Sequence, residues 1–324
     1  MIPIRDTTPS ARYPMVNNLL IGINILVFLV EIAQGADMQG FMVTWGFVPA
    51  KLTNPRVAVH FSFLQQFGSF FSFMFLHGGF LHLLFNMWTL YIFGDNVEDR
   101  LGHVRYLAFY LVCGWASAFA HLVFNWDSTV PTVGASGAIA GVMGAYFLLY
   151  PGSRILTLIP VLFIPWFVEI PAFVFLGIWF LLQLLSAAGG GAGNVAWWAH
   201  VGGFVVGMAL LRLFLRLPRA GVDRSVGRYT QRRSTPRLQV VRPMAAGNSD
   251  PNLYGHVFIT PWEARNGAKK IVNIPWGFQK RLFTVVIPPG LSPGARLRLR
   301  GLGRITPDGG RGDMILDVRI ADAR

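Results

Sequence analysis

The sequence predicts an all-α polytopic membrane protein of six transmembrane helices followed by a small all-β soluble domain, and three observations carry that expectation. Of 324 residues, 53% are hydrophobic and 13% charged, and the mean hydropathy is +0.48, where soluble proteins carry about 25% charged residues. A wholly water-soluble globule is therefore excluded. The charge also divides at Pro218: residues 1–217 hold 9 Lys+Arg and 8 Asp+Glu, while residues 218–324 hold 19 and 7, so the net charge of +13 sits almost entirely in the last third. Third, the hydrophobic pattern changes at about the same place from long apolar runs to short alternating ones. The expected organisation is a membrane domain at 1–217, a basic flexible linker at 218–250 and a β domain at 251–324.

A helix crosses the roughly 30 Å hydrocarbon layer with about 20 apolar residues. Six stretches approach that length, at 17–33, 69–94, 104–125, 135–150, 170–187 and 196–217. Residues 155–168, broken by Pro160 and Pro165, read as an interfacial lead-in to the fifth. Residues 33–35 weakly resemble a signal-cleavage site, but no basic run precedes the first stretch and Glu31 adjoins the site, so a retained helix is expected. Basic residues in short connections favour the cytoplasmic side. With the N-terminus inside, that side collects Arg5, Arg12, Arg100, Arg105, Arg154, Arg212, Arg216 and the basic tail, against Lys51 and Arg56 outside. The expected location is thus a prokaryotic inner membrane with both termini in the cytoplasm, and helices two, four and six begin at the outer face.

Residues 218–250 are rich in Arg, Ser, Gly and Pro and lack a hydrophobic period. Beyond Tyr254, period-two runs at 256–259, 269–274, 282–287, 295–300 and 314–320 are separated by Asn266-Gly267, Pro288-Pro289-Gly290, Pro293-Gly294 and Asp308-Gly309-Gly310. That is the pattern of a small antiparallel β unit.

Polar residues inside spans are costly, so they mark either function or helix-to-helix hydrogen bonds. His82 and Asn86 stand i,i+4 on one face of helix two. Ser136 and His200 stand near the outer ends of helices four and six, 64 positions apart. Gly137, Ala140, Gly141, Gly144 and Ala145 line helix four, and Gly203 and Gly207 fall within about 60° of His200 around helix six. Small residues at this spacing let membrane helices meet backbone to backbone, bringing Ser136 and His200 toward hydrogen-bond range. A serine beside a neutral imidazole is a nucleophile with its general base. The Ser136 backbone N–H at a helix N-terminus, the Asn86 amide and the His82 ring are candidate donors to an oxyanion. Asp127 lies in a loop of unknown reach, so the expected arrangement is a Ser-His dyad.

His77, about 140° from His82 around the helix, and His121, which has no partner evident in the sequence, are read as structural. The single cysteine, Cys113, excludes an intrachain disulfide and a Cys-based zinc site. No His-Glu-x-x-His motif occurs and the His spacings put no two rings on one helical face. Neither a metal nor another cofactor is expected.

The segments His77-Gly-Gly-Phe-Leu-His82-Leu-Leu-Phe-Asn86, Glu98-Asp-Arg-Leu-Gly102, Gly134-Ala-Ser-Gly137 and Ala199-His200-Val-Gly-Gly203 resemble, in order and spacing across about residues 14–217, the rhomboid intramembrane serine proteases. The resemblance implies a six-helix rhomboid core with Ser136 as nucleophile, His200 as base, and His82 and Asn86 assisting at the oxyanion. It implies hydrolysis of a peptide bond in a transmembrane substrate near the outer face, once the substrate helix unwinds locally. Two positions depart from the family pattern. Ala140 replaces an aromatic that in many members lies under the histidine ring, and Trp45-Gly46 stands where the first outer loop often has Trp-Arg. Residues 187–195, with Gly189, Gly190, Gly191 and Gly193, read equally as a mobile cap or an ordinary connection.

The tail resembles a second family. His256-Val-Phe-Ile-Thr-Pro-Trp-Glu263-Ala264, Asn266-Gly267, Val285-Val-Ile-Pro-Pro-Gly290, Gly294-Ala-Arg-Leu-Arg-Leu-Arg-Gly301-Leu-Gly303 and Gly312-Asp313-Met-Ile look like the C-terminal β domain of DnaJ-type co-chaperones. That resemblance implies binding of unfolded polypeptide at residues 251–324. The His-Pro-Asp of a J domain and the cysteines of a zinc module are absent from the sequence, so stimulation of a chaperone ATPase is not implied. The expected partners are transmembrane substrates, membrane lipid and unfolded polypeptide. Arg296, Arg298 and Arg300 share one strand face, read as solvated or near anionic lipid heads rather than as a nucleic-acid site. The competing function is a catalytically silent rhomboid-like scaffold that binds membrane clients.

Overall fold

In the computed structural model, residues 1–8, 10–161, 164–189, 195–218, 221, 230, 238–241, 244–245, 250–276, 279–306 and 309–320 are described. The chain divides into two compact units, Met1–Ser10 with Pro14–Tyr229, and Ala11–Tyr13 with Thr230–Arg324.

The first unit is mainly helical. After strand β1 (Ile2–Asp6) come α1 (Met15–Ala33), short helices α2 (Met38–Trp45), α3 (Ala50–Thr53), α4 (Pro55–Ala58) and α5 (Phe63–Ser72), then the long α6 (Phe80–Leu101) and α7 (His103–Phe124). Next come α8 (Ser136–Leu149), strands β2 (Arg154–Val161) and β3 (Ile164–Pro171), α9 (Ala172–Ala188) and α10 (Trp197–Arg216). Helices α1, α7 and α10 are long and apolar enough to cross a bilayer. The segments Phe63–Phe75 and Phe80–Leu101 form a pair bent by 71°, and α8 and α9 are shorter apolar helices.

Two expectations are corrected here, and one helix is shorter than expected. The stretch 69–94 is no single helix: it breaks at Leu76–Gly79, where paired glycines interrupt helical propagation, and α6 runs on to Leu101. Residues 155–168 form most of a β-hairpin, with Pro160 opposite Pro165 and β1 added antiparallel to β2, so the unit carries a three-stranded sheet and is not all-α. Proline supplies no N–H to a helix ladder, which disfavours a helix there. Finally, α8 has 14 residues, about 21 Å at 1.5 Å per residue, short of a bilayer. Every residue from Gly137 to Tyr146 is buried among its neighbours, so this short helix is enclosed by the other helices.

The core joins α1, α6, α7, α8, α9 and α10 through Leu20, Phe93, Phe109, Tyr146, Leu176 and Phe204 among others. Outward faces are apolar too: Leu26 and Leu29 on α1, Leu81 and Phe85 on α6, and Leu182 and Leu185 on α9 are exposed. A helical unit that is apolar both inside and out belongs in lipid.

The second unit contains strands β4 (Leu238–Val240), β5 (Met244–Ala245), β6 (Leu253–Ile259), helix α11 (Pro261–Asn266), and strands β7 (Ala268–Trp276), β8 (Gln279–Ile287), β9 (Arg296–Leu299) and β10 (Met314–Ile320). The sheets have orders β5-β6-β10-β9 and β4-β7-β8. All five alternating runs lie on β6 to β10. Two details differ from expectation: β6–β10 and β4–β7 pair in parallel, and β4 and β5, inside the expected linker, join the sheets. Most of the remainder of 218–250 lies outside the described residues. Val257, Ile259, Val272, Val285, Leu316 and Val318 fill the core. Thr260 and Glu263 form a capping box on α11, and Glu263 meets Lys270 in a buried ion pair. On β9, Arg296 pairs with Asp317 and Arg298 with Asp313.

Candidate active site

Ser136 opens α8 at the end where its backbone N–H groups lack preceding helical carbonyls. His200 lies in the first turn of α10. The two helices meet along glycine. A Cβ on Gly203 would collide with the carbonyl of Gly137, one on Gly207 with the backbone of Gly141, and one on Gly144 with the carbonyl of Phe204. This contact sets Ser136 Oγ 2.8 Å from His200 Nε2.

The other imidazole nitrogen, Nδ1, lies 2.7 Å from Oε1 of Gln183, a buried residue of α9. Since a carbonyl oxygen only accepts, Nδ1 carries the hydrogen and Nε2 presents its lone pair to the serine. Trp179, one turn earlier on α9, lies with its ring centroid 6.0 Å from that of His200, and Trp197 meets the same imidazole edge-on at 6.2 Å. These three residues contact the imidazole at a site where Ala140 supplies no aromatic ring. Sequence reasoning missed them; the available signal was one amide in an otherwise apolar stretch of α9, where an unpaired amide would be costly.

His82 is on α6 and reaches the same place. Gly78 N–H donates to its Nδ1 at 3.3 Å, so Nε2 carries a proton. Gly134, with φ of +130°, fits between: a Cβ there would lie 2.9 Å from His82 Nε2 and 3.5 Å from Ser136 Oγ. The His82 ring and the serine oxygen thus border the same space beside Gly134. Asn86, one turn further along α6, donates its amide to the His82 carbonyl at 2.9 Å, committing one of its two N–H bonds.

The segments around the site are tied by polar contacts. Gly134 N–H donates to Phe73 O at 2.9 Å, and Phe47 and Thr132 exchange backbone hydrogen bonds. His121 has partners that the sequence did not reveal: Thr132 Oγ1 at 3.0 Å from Nε2, and Asn125 Nδ2 at 3.3 Å from Nδ1. It thus ties α7 to the segment leading into Ser136, a structural part. The backbone N–H of His77 donates to the buried Glu31 carboxylate at 3.0 and 3.2 Å, joining α1 to the segment before α6, while its ring lies edge-on to that of His82 with centroids 5.2 Å apart. Lys51 answers the departure at Trp45-Gly46. Its buried Nζ donates to Thr44 O at 2.8 Å and Gly46 O at 3.2 Å and lies 4.5 Å from the Phe61 ring centroid, while burial pushes the ammonium down to about 8. Among the described residues no group of three His, Cys, Asp or Glu side chains is arranged to hold a metal. Residues 190–194, the middle of the glycine-rich loop, lie outside the described residues.

The arrangement has the parts of an acyl-transfer centre: a hydroxyl, a base with a fixed tautomer, and an N–H donor beside them. The chain is 31% identical over 152 residues to RHOMBOID-like protein 6, mitochondrial, of Arabidopsis thaliana, covering 46% of this chain and 44% of that protein. It is 36% identical over 138 residues to Rhomboid protease GluP of Bacillus subtilis, covering 42% and 24%. With Rhomboid protein 1, mitochondrial, of Saccharomyces cerevisiae the identity is 28% over 199 residues, covering 58% and 50%. The chain thus spans half or less of the length of these three relatives. Residues 64–217 match the family model described as the Rhomboid domain, and together with these relatives that match supports the rhomboid family for the helical unit.

Proposed function

We propose that the helical unit is an intramembrane serine endopeptidase acting on transmembrane proteins, with Ser136 as nucleophile and His200 as general base. Ser136 Oγ attacks the scissile carbonyl carbon while its proton passes to His200 Nε2. The tetrahedral oxyanion is held by the Ser136 backbone N–H, the His82 Nε2–H and the remaining N–H of the Asn86 amide. The imidazolium then protonates the leaving amine, the C–N bond breaks, and an acyl-serine remains. Water, giving one proton to His200 Nε2, attacks the ester carbonyl, and as the second tetrahedral intermediate collapses His200 returns that proton to Ser136 Oγ, freeing the acid and restoring the serine.

Six membrane crossings, an inner membrane with both termini in the cytoplasm, and a site opening toward the extracytoplasmic face are parts of the same reading. The second unit is read as a DnaJ C-terminal-like appendage that holds unfolded polypeptide on the cytoplasmic side. Its β6–β10 strands coincide with the motifs that carry that resemblance.

The observation that carries the proposal is the 2.8 Å approach of Ser136 Oγ to His200 Nε2. The test is cleavage of a generic transmembrane substrate in liposomes by the purified full chain. Wild type is expected to cleave, and Ser136→Ala and His200→Ala to lose at least about 10³-fold in kcat. Equal product from all three removes the dyad. No product from wild type favours the silent scaffold.

A further inference from the structure

We propose that Gln183 is a positioning residue for His200, completing a Ser136–His200–Gln183 relay in which a neutral amide occupies the place a carboxylate takes in a serine triad. This rests on the protease reading above and assigns a residue to it. Three observations converge. Gln183 is buried at 8% exposure in a helix whose neighbouring residues are Leu, Phe and Trp; an amide there is costly unless hydrogen-bonded. Its Oε1 meets His200 Nδ1 at 2.7 Å while Nε2 of the same ring meets Ser136 Oγ at 2.8 Å, so one imidazole is hydrogen-bonded on both sides. And Ala140 offers no ring beneath the imidazole, while Trp179, on the same α9 face as Gln183, lies 6.0 Å away.

The chemistry follows from the acceptor. An amide oxygen holds the hydrogen on Nδ1, which leaves the Nε2 lone pair facing the hydroxyl. In the opposite tautomer Nε2 would carry a hydrogen and could not receive the serine proton. When Nε2 gains that proton, the Nδ1–H bond to Oε1 strengthens because its donor is now charged. The amide itself never titrates, so it orients the base without adding a charge. The titratable side chains facing His200 are His82 from α6 and His121 from α7; α9 contributes none.

The experiment uses the full chain in liposomes with the transmembrane substrate, comparing wild type, Gln183→Met and Gln183→Glu across the neutral pH range. Gln183→Met keeps the volume and removes the amide acceptor. Its kcat is expected to fall about 10- to 100-fold with KM unchanged, the pattern of an interaction made at the chemical step. Gln183→Glu keeps an acceptor and adds charge. It is expected to stay within about threefold of wild-type kcat and to move the acidic limb of kcat/KM upward by about one pH unit, because a carboxylate favours the imidazolium. A purely structural glutamine would reduce the folded fraction and leave the limb where it is.

Wild-type kcat together with an unmoved limb in both variants overturns the proposal. Should either variant fail to fold, the decision passes to ¹⁵N-histidine spectra of the wild type, with the His200 signal assigned by its loss in His200→Ala. A signal showing hydrogen on Nδ1 supports the relay, and hydrogen on Nε2 of the neutral ring overturns it. If wild type and Ser136→Ala do not differ, the protease reading fails and this inference with it; if they differ and Gln183→Met behaves as wild type, the relay alone fails.

Discussion

The two ends of the helical unit bury polar groups in opposite ways. At the Ser136 end the three groups of the candidate site form a thin chain, hydroxyl to imidazole to amide, each link a single hydrogen bond. At the opposite end they form a mesh. The Glu98 carboxylate of α6 accepts the backbone N–H groups of Val16 (2.9 Å) and Asn17 (2.7 Å) at the start of α1, and also meets His103. Asn17 in turn donates to Leu90 O, and its Oδ1 accepts from Tyr106 OH at 2.6 Å. A carboxylate with several donors is held still and kept unreactive; a hydroxyl facing one base is left with an oxygen available for chemistry. Both ends match motifs of one family, so the presence of a motif does not separate reactive from structural residues. The pattern of hydrogen bonds around each residue does.

The largest expected effect tests the mesh. Glu98→Ala removes the acceptor for two helix-starting N–H groups and the partner of His103, and breaking such a buried pair costs about 3–5 kcal/mol. Thermal unfolding in detergent is expected to move by that amount, while the fraction still folded reacts with a serine-directed fluorophosphonate as wild type does. Loss of that reactivity in folded protein would mean the two ends are not independent.

Gly203→Ala probes the thin chain at its support. The new methyl meets the Gly137 carbonyl, a backbone atom that cannot turn aside, so α8 and α10 must separate where the dyad forms. Overpacking of this kind costs about 1–3 kcal/mol, and misplacing reacting groups by about 1 Å costs roughly 100-fold in rate. The variant is therefore expected to lose about 100-fold in kcat with a smaller stability loss than Glu98→Ala. Full activity in Gly203→Ala would show that the glycine contact does not position the dyad.

What the sequence made legible depended on whether the relevant spacing was local. The glycines at 137, 141 and 144 and at 203 and 207 lie on regular helical intervals, so a close approach of α8 and α10 could be argued before any coordinates. The five alternating runs of the second unit were legible for the same reason, since each is a local period-two pattern bounded by breakers. Which strands pair was not, because α11 and the strands β7, β8 and β9 lie between β6 and β10 and nothing in either run marks its partner. Gln183 was hidden similarly: its 17-residue separation from His200 crosses a loop and fits no helical interval. Glu31 and Lys51 are charged residues whose partners are backbone groups, which a sequence does not advertise. The hairpin at 154–171 was misread because its apolar content dominated, although Pro160 and Pro165 argued against a helix.

The smallest effect lies at the edge of the mesh and depends on pH. Asp6, at the end of β1, accepts from Asn96 Nδ2 at 2.8 Å and from Tyr146 OH at 2.6 Å. Burial, aided by the nearby Asp95 carboxylate and opposed by the tyrosine hydrogen bond, pushes its carboxyl up to about 7. A raised carboxyl means the folded protein keeps a proton that the unfolded chain has already lost. The associated stability is present at low pH and disappears as pH rises from about 4 through about 7. Between about pH 5 and pH 8 the unfolding free energy of wild type should fall by an amount on the order of 1 kcal/mol once partial solvent exposure is allowed for, and the melting temperature should fall with it. Asp6→Asn keeps an oxygen for Tyr146 and removes the titration, so its melting temperature should vary less over the same range. If the two proteins change in parallel, Asp6 is solvated and β1 is held by its pairing with β2 alone, which would place the boundary of the mesh inside α6 and not at the sheet.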